Sequence, residues 1–368
     1  MISPQAAMSE AFTEARKGYG LASPNPMVGA VVVKDGVVAG RGFHTWEAKK
    51  HAEIMALEDA GASARGATVY LTLEPCCHHG RTPPCTGALI EAGVTRVVAA
   101  MRDPNPLVAG KGADALRAAG VPVEFDSSFE AEAEALNEPF AHFMRTGRPL
   151  VTLKAALTLD GKIAAPEDNR GWITSDLARL HVQHLRHGSD AIVTGIGTLL
   201  ADDCLLTDRS GLPRSRPLLR IVLDSQLRIP MHSKMVESAD DDVLVVTTSL
   251  ASAERRKALE QHGVRVLVSD HPSGRTDIAG LVRYLAEDNR LSLMIEAGSK
   301  VNWAALESGA VDKIFFYYAP KILGGMQSLP VAGGTGRLRR ADAIQFRNVK
   351  LHSITETEFA VEAWVEKH

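Results

Sequence analysis

Two successive runs of alternating strand-like and helix-like segments, parted by one cluster of breaker residues, restrict the fold of this chain more than any other feature. In the first run Ser3-Pro4 supplies an N-cap and a first-turn proline, and Met8, Phe12, Ala15 and Tyr19 recur at helical spacing, which predicts a first helix. Val28 to Val33 is valine-rich and nearly all apolar, Asp35-Gly36 is a hairpin turn signal, and Val37 to Gly42 returns as the paired strand. A helix over 51–60 stopped by Gly61, a buried strand over 68–73, a helix over 87–92, a strand over 94–100, a helix over 113–119 and a strand over 121–125 follow. Strands alternating with helices imply a three-layer α/β domain. The acidic stretch Asp126 to Glu138 predicts a helix leading out, and Arg145 to Pro149 carries the breakers of a boundary, so the junction is expected near Gly147, dividing 1–147 from 148–368.

The second run places strands at Val151 to Leu157, Ala191 to Thr194, Leu218 to Leu223, Val243 to Thr247, Val264 to Val268, Leu293 to Ile295 and Lys313 to Tyr318. Helical patterns lie between several of them, so a mainly parallel sheet with helical crossovers is expected. Neither internal repeats nor low-complexity tracts interrupt the pattern.

A chain of 368 residues exceeds what one core serves, and 45% apolar with 23% charged residues supports burial of real cores. A formal net charge of -3 asks for no nucleic acid as obligatory partner, while a small phosphorylated substrate and a homo-oligomer stay compatible with it. Glu10, Glu14, Arg16 and Lys17 interrupt the N-terminal segment as a signal peptide would not allow, and no stretch is apolar enough to span a bilayer; cytoplasmic residence without a membrane partner is the expectation. Of four cysteines, Cys76, Cys77 and Cys85 cluster, which in a reducing compartment points to metal binding or catalysis; lone Cys204 reads as a small buried side chain.

The strongest chemical signal is His51-Ala52-Glu53 followed, beyond a strand, by Pro75-Cys76 and by Cys85. Zinc that activates water needs three N or S ligands and one open position, and one imidazole with two thiolates supplies them. Glu53, two residues on from a ligand, can reach the activated water without ligating, take its proton and pass it to a leaving amine. Helix N-termini are expected at His51 and Cys85, where partial positive charge favours thiolate. H-x-E with P-C-x-x-C is the signature of zinc deaminases; here eight residues part the cysteines, and Cys77, His78 and His79 are rival ligands that spacing does not exclude.

Taken together, Pro24-Asn25-Pro26-x-Val28-Gly29, Gly42-Phe43-His44, His51-Ala52-Glu53 and the run from Glu74 through Pro75, Cys76, Cys77, His78, His79, Gly80, Arg81, Thr82, Pro83 and Pro84 to Cys85 resemble the bifunctional riboflavin-biosynthesis deaminase/reductase family. The resemblance implies a cytidine-deaminase-like three-layer α/β/α domain with one Zn2+ per chain on His51, Cys76 and Cys85, and Glu53 as proton shuttle. It places Asn25, His44 and Arg81 at the substrate, with His44 and Arg81 near its phosphate. Standing alone, Asn25 reads as a turn residue between prolines and Arg81 as a solvated loop charge.

In the second half Gly195-x-Gly197-Thr198 after a strand is compatible with a phosphate-cradling turn, although no G-x-G-x-x-G fingerprint is present and a tight strand-to-helix turn explains the glycines equally. The resemblance continues through Lys154 to Gly161, Trp172 to Ser175, Gly197 to Asp203, Leu206-Thr207-x-Arg209, Asp224-Ser225-Gln226 and Glu296-Ala297-Gly298. It implies a dihydrofolate-reductase-like α/β domain with NADPH lying across the sheet on Ala156, Trp172, Thr198, Asp202, Ser225 and the segment Gly298, Ser299, Lys300, Val301, Asn302, Trp303 and Ala304. The substrate would be faced by Arg170, Arg186, Leu206, Arg209 and Glu296, with Lys154, Asp202 and Glu296 orienting an opened ribosylamine and supplying protons. By themselves Lys154 reads as an edge or surface charge, the Asp202-Asp203 pair as a cap or turn, and Trp172 as core.

Two other readings stay open from sequence. One is a nucleoside or tRNA deaminase carrying an accessory domain, which the long insert between Cys76 and Cys85 and the ordinary net charge disfavour. The other is a non-catalytic zinc-stabilised binding protein, which would need a fourth protein ligand.

Overall fold

The computed structural model describes residues 1–78, 83–167 and 169–367. Two compact units emerge, one of Met1–Arg148 with Pro213–Arg216, the other of Pro149–Leu212 with Pro217–His368.

The first unit runs α1 (Pro4–Arg16), β1 (Gly29–Lys34), β2 (Val37–Phe43), α2 (Ala52–Ala60), β3 (Thr68–Leu71), α3 (Cys85–Glu91), β4 (Arg96–Ala99), α4 (Lys111–Ala118), β5 (Val123–Phe125), α5 (Glu130–Leu136) and α6 (Glu138–Thr146). Ser3 caps α1 as expected, its side chain accepting from the Ala6 amide. The sheet order is β2-β1-β3-β4-β5, with β1 antiparallel to β2 and β3 and the rest parallel. Successive strand residues point to opposite faces, so Ala30, Val32, Val69, Leu71 and Val97 pack under α2, α3 and α4, while Val31, Tyr70 and Val98 meet Met8 and Phe12 of α1 and Ala133 of α5. That is the three-layer arrangement the alternation implied. The exit segment differs from the single helix expected over 126–138: Asp126 caps a 3-10 turn at Ser127–Phe129, and two helices follow, the second restarted by Pro139 in its first turn.

The second unit runs β6 (Leu150–Thr158), β7 (Lys162–Ala164), α7 (Asp176–His187), β8 (Ala191–Gly195), α8 (Ile196–Asp202), β9 (Leu219–Leu223), α9 (Lys234–Glu237), β10 (Val243–Thr247), α10 (Ala253–Gln261), β11 (Arg265–Val268), α11 (Ile278–Glu287), β12 (Ser292–Ile295), α12 (Ser299–Glu307), β13 (Lys313–Ala319), β14 (Leu329–Pro330), β15 (Phe346–Ser353) and β16 (Phe359–Val365). All seven expected strands are present. They form a sheet of order β11-β10-β9-β8-β12-β6-β13-β16-β15, parallel as far as β13 and closed by the antiparallel pair β16 and β15. One face packs on α11 and α12 through Leu281, Leu285 and Ala305; the other packs on α7 to α10 through Val182, Leu199, Met235 and Leu259. Lys154 lies on a central strand and is buried, so the edge or surface charge read from its isolated position is corrected: β12 and β13 flank it, and its charge is paired. Trp172 is 67% exposed, which corrects its reading as core.

Candidate active sites

His51 is the N-cap of α2, Glu53 stands in that helix's first turn, Cys85 opens α3, and Cys76 lies on the loop between β3 and α3. What seats α2 is a pair of glycines on β2: a Cβ at Gly40 would stand 2.3 Å from the Ala56 carbonyl oxygen, and one at Gly42 2.2 Å from that of Ala52. Only glycine lets the helix backbone approach so closely, and that approach holds His51 and Glu53 against the sheet.

His51 Nδ1 lies 3.0 Å from Cys85 Sγ and 3.5 Å from Cys76 Sγ, and the three donor atoms all fall within 4.8 Å of one another. Metal–ligand bonds of about 2.0 Å to nitrogen and about 2.3 Å to sulfur in a tetrahedron put neighbouring donors roughly 3.5 Å apart, so this set fits zinc. Among the described residues no fourth histidine, cysteine or carboxylate joins the group, which leaves His78 and Cys77 outside it. His79 and Arg81 lie outside the described residues.

The electrostatics suit a cation. A hydrogen bond from Cys85, against the opposing effect of burial and with the help of His51, brings the Cys76 thiol down to about 4. Cys85, donor to that thiolate and buried, is pushed up. The Cys76 hydrogen bond raises His51. Glu53 is 4% exposed, and burial first, then the Cys76 charge, pushes its carboxyl to about 7.

His51, Glu53 and Cys76 line a cavity of about 240 Å³ that also receives Asn25, His44, Asp103 and Asn105. His44 spends one ring nitrogen on the Lys50 carbonyl, 2.7 Å away, and the other on Asn25 Nδ2, 2.9 Å away, while burial lowers its pKa. It is a neutral support for Asn25 in this geometry, with both nitrogens engaged. Asp103 and Asn105 were not expected from sequence. Their loop is anchored by Glu74, whose carboxylate accepts from the amides of Asp103, Gly110 and Ala113 at 3.2, 2.9 and 3.0 Å. Glu74 stood in the quoted motif with no role, and the turn residues Asp103-Pro104-Asn105 carry no spacing signal that ties them to the cysteines.

In the second unit, Lys154, Arg186 and Glu296 come together although they are widely separated in sequence. Lys154 Nζ is 3.1 Å from Glu296 Oε1, and Arg186 Nε and Nη2 are 3.1 and 2.9 Å from Glu296 Oε2. Burial would raise the Glu296 carboxyl, yet the Lys154 and Arg186 charges and hydrogen bonds outweigh it and hold the group at about 2. Asp202 ends α8, exposed, on the side of Cys204, whose thiol burial pushes up to about 11 with the charges of Asp202 and Glu296 adding to it.

Gly195 and Gly298 stand at the C-terminal ends of the parallel strands β8 and β12, where ligands of open α/β sheets bind. Gly195 leaves room for Val301, whose Cγ2 would lie 2.7 Å from a Cβ there, and a Cβ on Gly298 would stand 3.4 Å from Thr198 Oγ1. The N-termini of α8 and α12 thus approach each other, with Lys300 exposed at the start of α12. Ser299 Oγ donates to the Pro330 carbonyl, and Asn302 Nδ2 to that of Val331 at 2.8 Å, so both tie α12 to the segment at 330–331. Trp303 lies under the Arg337 guanidinium, and Ala304 continues α12. Ala156 is on β6, Ser225 follows β9 with its carbonyl accepting from Thr248, and Trp172 stacks with Arg179 at 4.7 Å. Arg170 and Arg209 are exposed, and Leu206 is 5% exposed.

The family described as RibD C-terminal domain matches residues 149–358, and the cytidine and deoxycytidylate deaminase zinc-binding region matches residues 1–101. The riboflavin biosynthesis protein RibD of Actinobacillus pleuropneumoniae is 42% identical over 344 residues, 92% of this chain and 90% of that protein. That of Escherichia coli K12 is 42% identical over 355 residues, 92% of this chain and 94% of its own. Among solved structures, Acinetobacter baumannii RibD superposes with a TM-score of 0.87 at 36% identity over 99% of both chains. The diaminohydroxyphosphoribosylaminopyrimidine deaminase/5-amino-6-(5-phosphoribosylamino)uracil reductase of Thermotoga maritima does so with a TM-score of 0.82 at 35% identity over 98% of both.

Proposed function

The chain belongs to the RibD family, the bifunctional deaminase/reductases of riboflavin biosynthesis, and from that premise we propose that residues 1–147 perform the zinc-dependent deamination and residues 148–368 the NADPH-dependent reduction. The substrate is 2,5-diamino-6-(5-phosphoribosylamino)pyrimidin-4(3H)-one, a small phosphorylated pyrimidine handled in the cytoplasm with no nucleic-acid or membrane partner. Among the described residues no helix is long and apolar enough to cross a membrane.

The observation that carries the first half is the convergence of His51 Nδ1, Cys76 Sγ and Cys85 Sγ beside the buried Glu53 carboxyl at a cavity wall. Zinc, when held by those three atoms, supplies Lewis acidity that makes water a nucleophile near neutral pH. Glu53 takes the proton of the attacking water and delivers it to the departing amine, so that the 2-amino group leaves as ammonia and the ring becomes a uracil. Asn25, steadied by His44, and the rim residues Asp103 and Asn105 orient the ring. Arg81 enters only through the family resemblance.

In the second half NADPH supplies the hydride. Opening of the ribosylamine exposes an imine carbon that accepts it and yields the ribityl chain. Lys154 and Arg186 hold Glu296 ionised, which fixes three charged groups at the end of β12 where the substrate's sugar and phosphate bind. Leu206 and Arg209 border it, with Asp202 beside the cofactor.

The test is incubation of the purified chain with the diaminopyrimidine, with and without NADPH. Ammonia release in both cases, and NADPH oxidation only after deamination, is the expected result. Release of ammonia with no NADPH oxidation would remove the second half of the reading.

A further inference from the structure

The segment that leaves α8 and returns to β9 follows an unusual course. Asp203 and Leu206 both have positive φ, 43° and 52°, although neither is glycine, and Leu206 is buried in the core beneath α8 and α10. Such a conformation persists only where the surroundings over-determine it.

Here the surroundings do so nearly peptide by peptide. Arg220 Nη1 donates to the Leu205 carbonyl at 3.2 Å, and Arg186 Nη1 to the Thr207 carbonyl at 3.0 Å. Gln183 Oε1 accepts from the Arg209 amide at 2.9 Å. Asp208 is the centre of the arrangement: Oδ2 lies 2.7 Å from His187 Nδ1, Oδ1 accepts from the Ser210 amide at 2.9 Å, and Ser210 Oγ lies 3.3 Å from the same His187 nitrogen. The His187 side chain is 0% exposed and that of Asp208 8%. Three of these groups, Gln183, Arg186 and His187, come from the last turns of one helix, α7. Arg186 spends its remaining nitrogens on Glu296, so one guanidinium ties the segment to the end of β12.

We propose that His187 and Asp208 are positioning residues of the reductase site: their buried pair sets the path of residues 205–210, so that the backbone at Leu206, whose side chain anchors in the core, and the side chain of Arg209 meet the ribosyl phosphate substrate in register with Arg186 and Glu296. The pair touches neither cofactor nor reacting atoms and acts through the backbone it holds. Its effect falls on the substrate side, because the close approach of Gly195 to Val301 and of Gly298 to Thr198, where the cofactor is expected, is built by α8 and α12 without it. A neighbouring Ser-His-Asp set suggests a hydrolytic triad, but serine and aspartate share one nitrogen of the histidine, which leaves no relay through the ring. The inference rests on reading residues 148–368 as the reductase with Leu206 and Arg209 facing its substrate.

The experiment compares His187→Ala, His187→Asn and Asp208→Asn with the parent in the full chain. Asparagine places an amide N–H near the position of imidazole Nδ1, and Asn at 208 still accepts a hydrogen bond. KM for the deaminated ribosylamino substrate and for NADPH, kcat, ammonia release and amide exchange at Arg209 and Ser210 are measured. His187→Ala is expected to raise substrate KM about tenfold, equivalent to about 1.4 kcal/mol of binding. NADPH KM and ammonia release stay at parental values, exchange at Arg209 and Ser210 accelerates, and both asparagine variants recover most of the loss. A joint rise of both KM values, parental KM throughout, or asparagine at 187 performing no better than alanine overturns the proposal. Exchange needs no substrate, so it reports the clamp even if the parent fails to oxidise NADPH, a result that would count against the reductase reading instead.

Discussion

The loop that carries Asp103 and Asn105 to the deaminase cavity depends on one carboxylate, which gives the sharpest test of how that cavity is built. Glu74 is 3% exposed and accepts three backbone N–H groups, from Asp103, Gly110 and Ala113. Hydrogen bonds to a charged partner contribute roughly 1.5–3 kcal/mol each, and a buried N–H left without a partner costs roughly 1–3 kcal/mol. Glu74→Ala orphans all three donors; with water reaching some of them, the low ends of the two ranges, taken as alternatives, give a loss of about 3 to 4.5 kcal/mol. At roughly 2–4 °C per kcal/mol for a unit of this size, the transition of residues 1–148 should fall by roughly 10 °C. Glu74→Gln is no substitute, because its NH₂ must face either the Gly110 and Asp103 amides or that of Ala113, so a loss of about 2 kcal/mol is expected. The assay is urea unfolding of the full chain with amide exchange followed at Gly110 and Ala113, together with KM for ammonia release. NADPH oxidation by the same chain serves as internal control, since Glu74 belongs to the other unit. Unchanged exchange at those two amides with a loss below about 1 kcal/mol would refute the anchoring argument.

Glu53→Gln should abolish ammonia release while NADPH oxidation with already deaminated substrate continues, as separate assays of the two steps will show. Removing zinc with a chelator should have the same selectivity, with ammonia release restored on adding zinc back. Gly112→Ala would bring a Cβ within 2.0 Å of the Pro75 carbonyl oxygen, so α4 must shift away from the cysteine loop; a loss of about 3 kcal/mol on denaturation is expected. For Glu296 the carboxyl is depressed from 4.5 to about 2 in the folded chain, so the stability it contributes is complete above pH 4.5 and is lost as pH falls toward 2. Glu296→Gln should flatten that part of the stability profile, where the parent loses on the order of 3 kcal/mol, a difference that acid titration of folding reads directly.

The sequence by itself determined the class of the two units, and the family resemblance it carries singled out His51, Cys76 and Cys85, where spacing alone left Cys77, His78 and His79 as rivals. Apolar runs of strand length separated by helical periods produce parallel strands wherever they occur, and all seven strands expected after residue 150 formed. His51 and Cys85 fall at helix starts because proline, glycine and N-cap signals are local, so the motif positions could be placed on elements before any contact was known. The closing pair β15 and β16 went unexpected, since β15 is mostly exposed and its residues lack the apolar alternation that marks a half-buried strand. Only the tertiary structure decided the state of the charges: Lys154 is buried because β12 and β13 flank its strand and Glu296 meets it from the end of β12, and Trp172 stays outside, 67% exposed, with the Arg179 guanidinium over its ring. Glu74, Asp103 and the His187–Asp208 pair belong to the same category. Each is defined by a partner many residues away, across elements whose approach is set by packing density and by glycines that admit a backbone, and no local period in the chain records that distance.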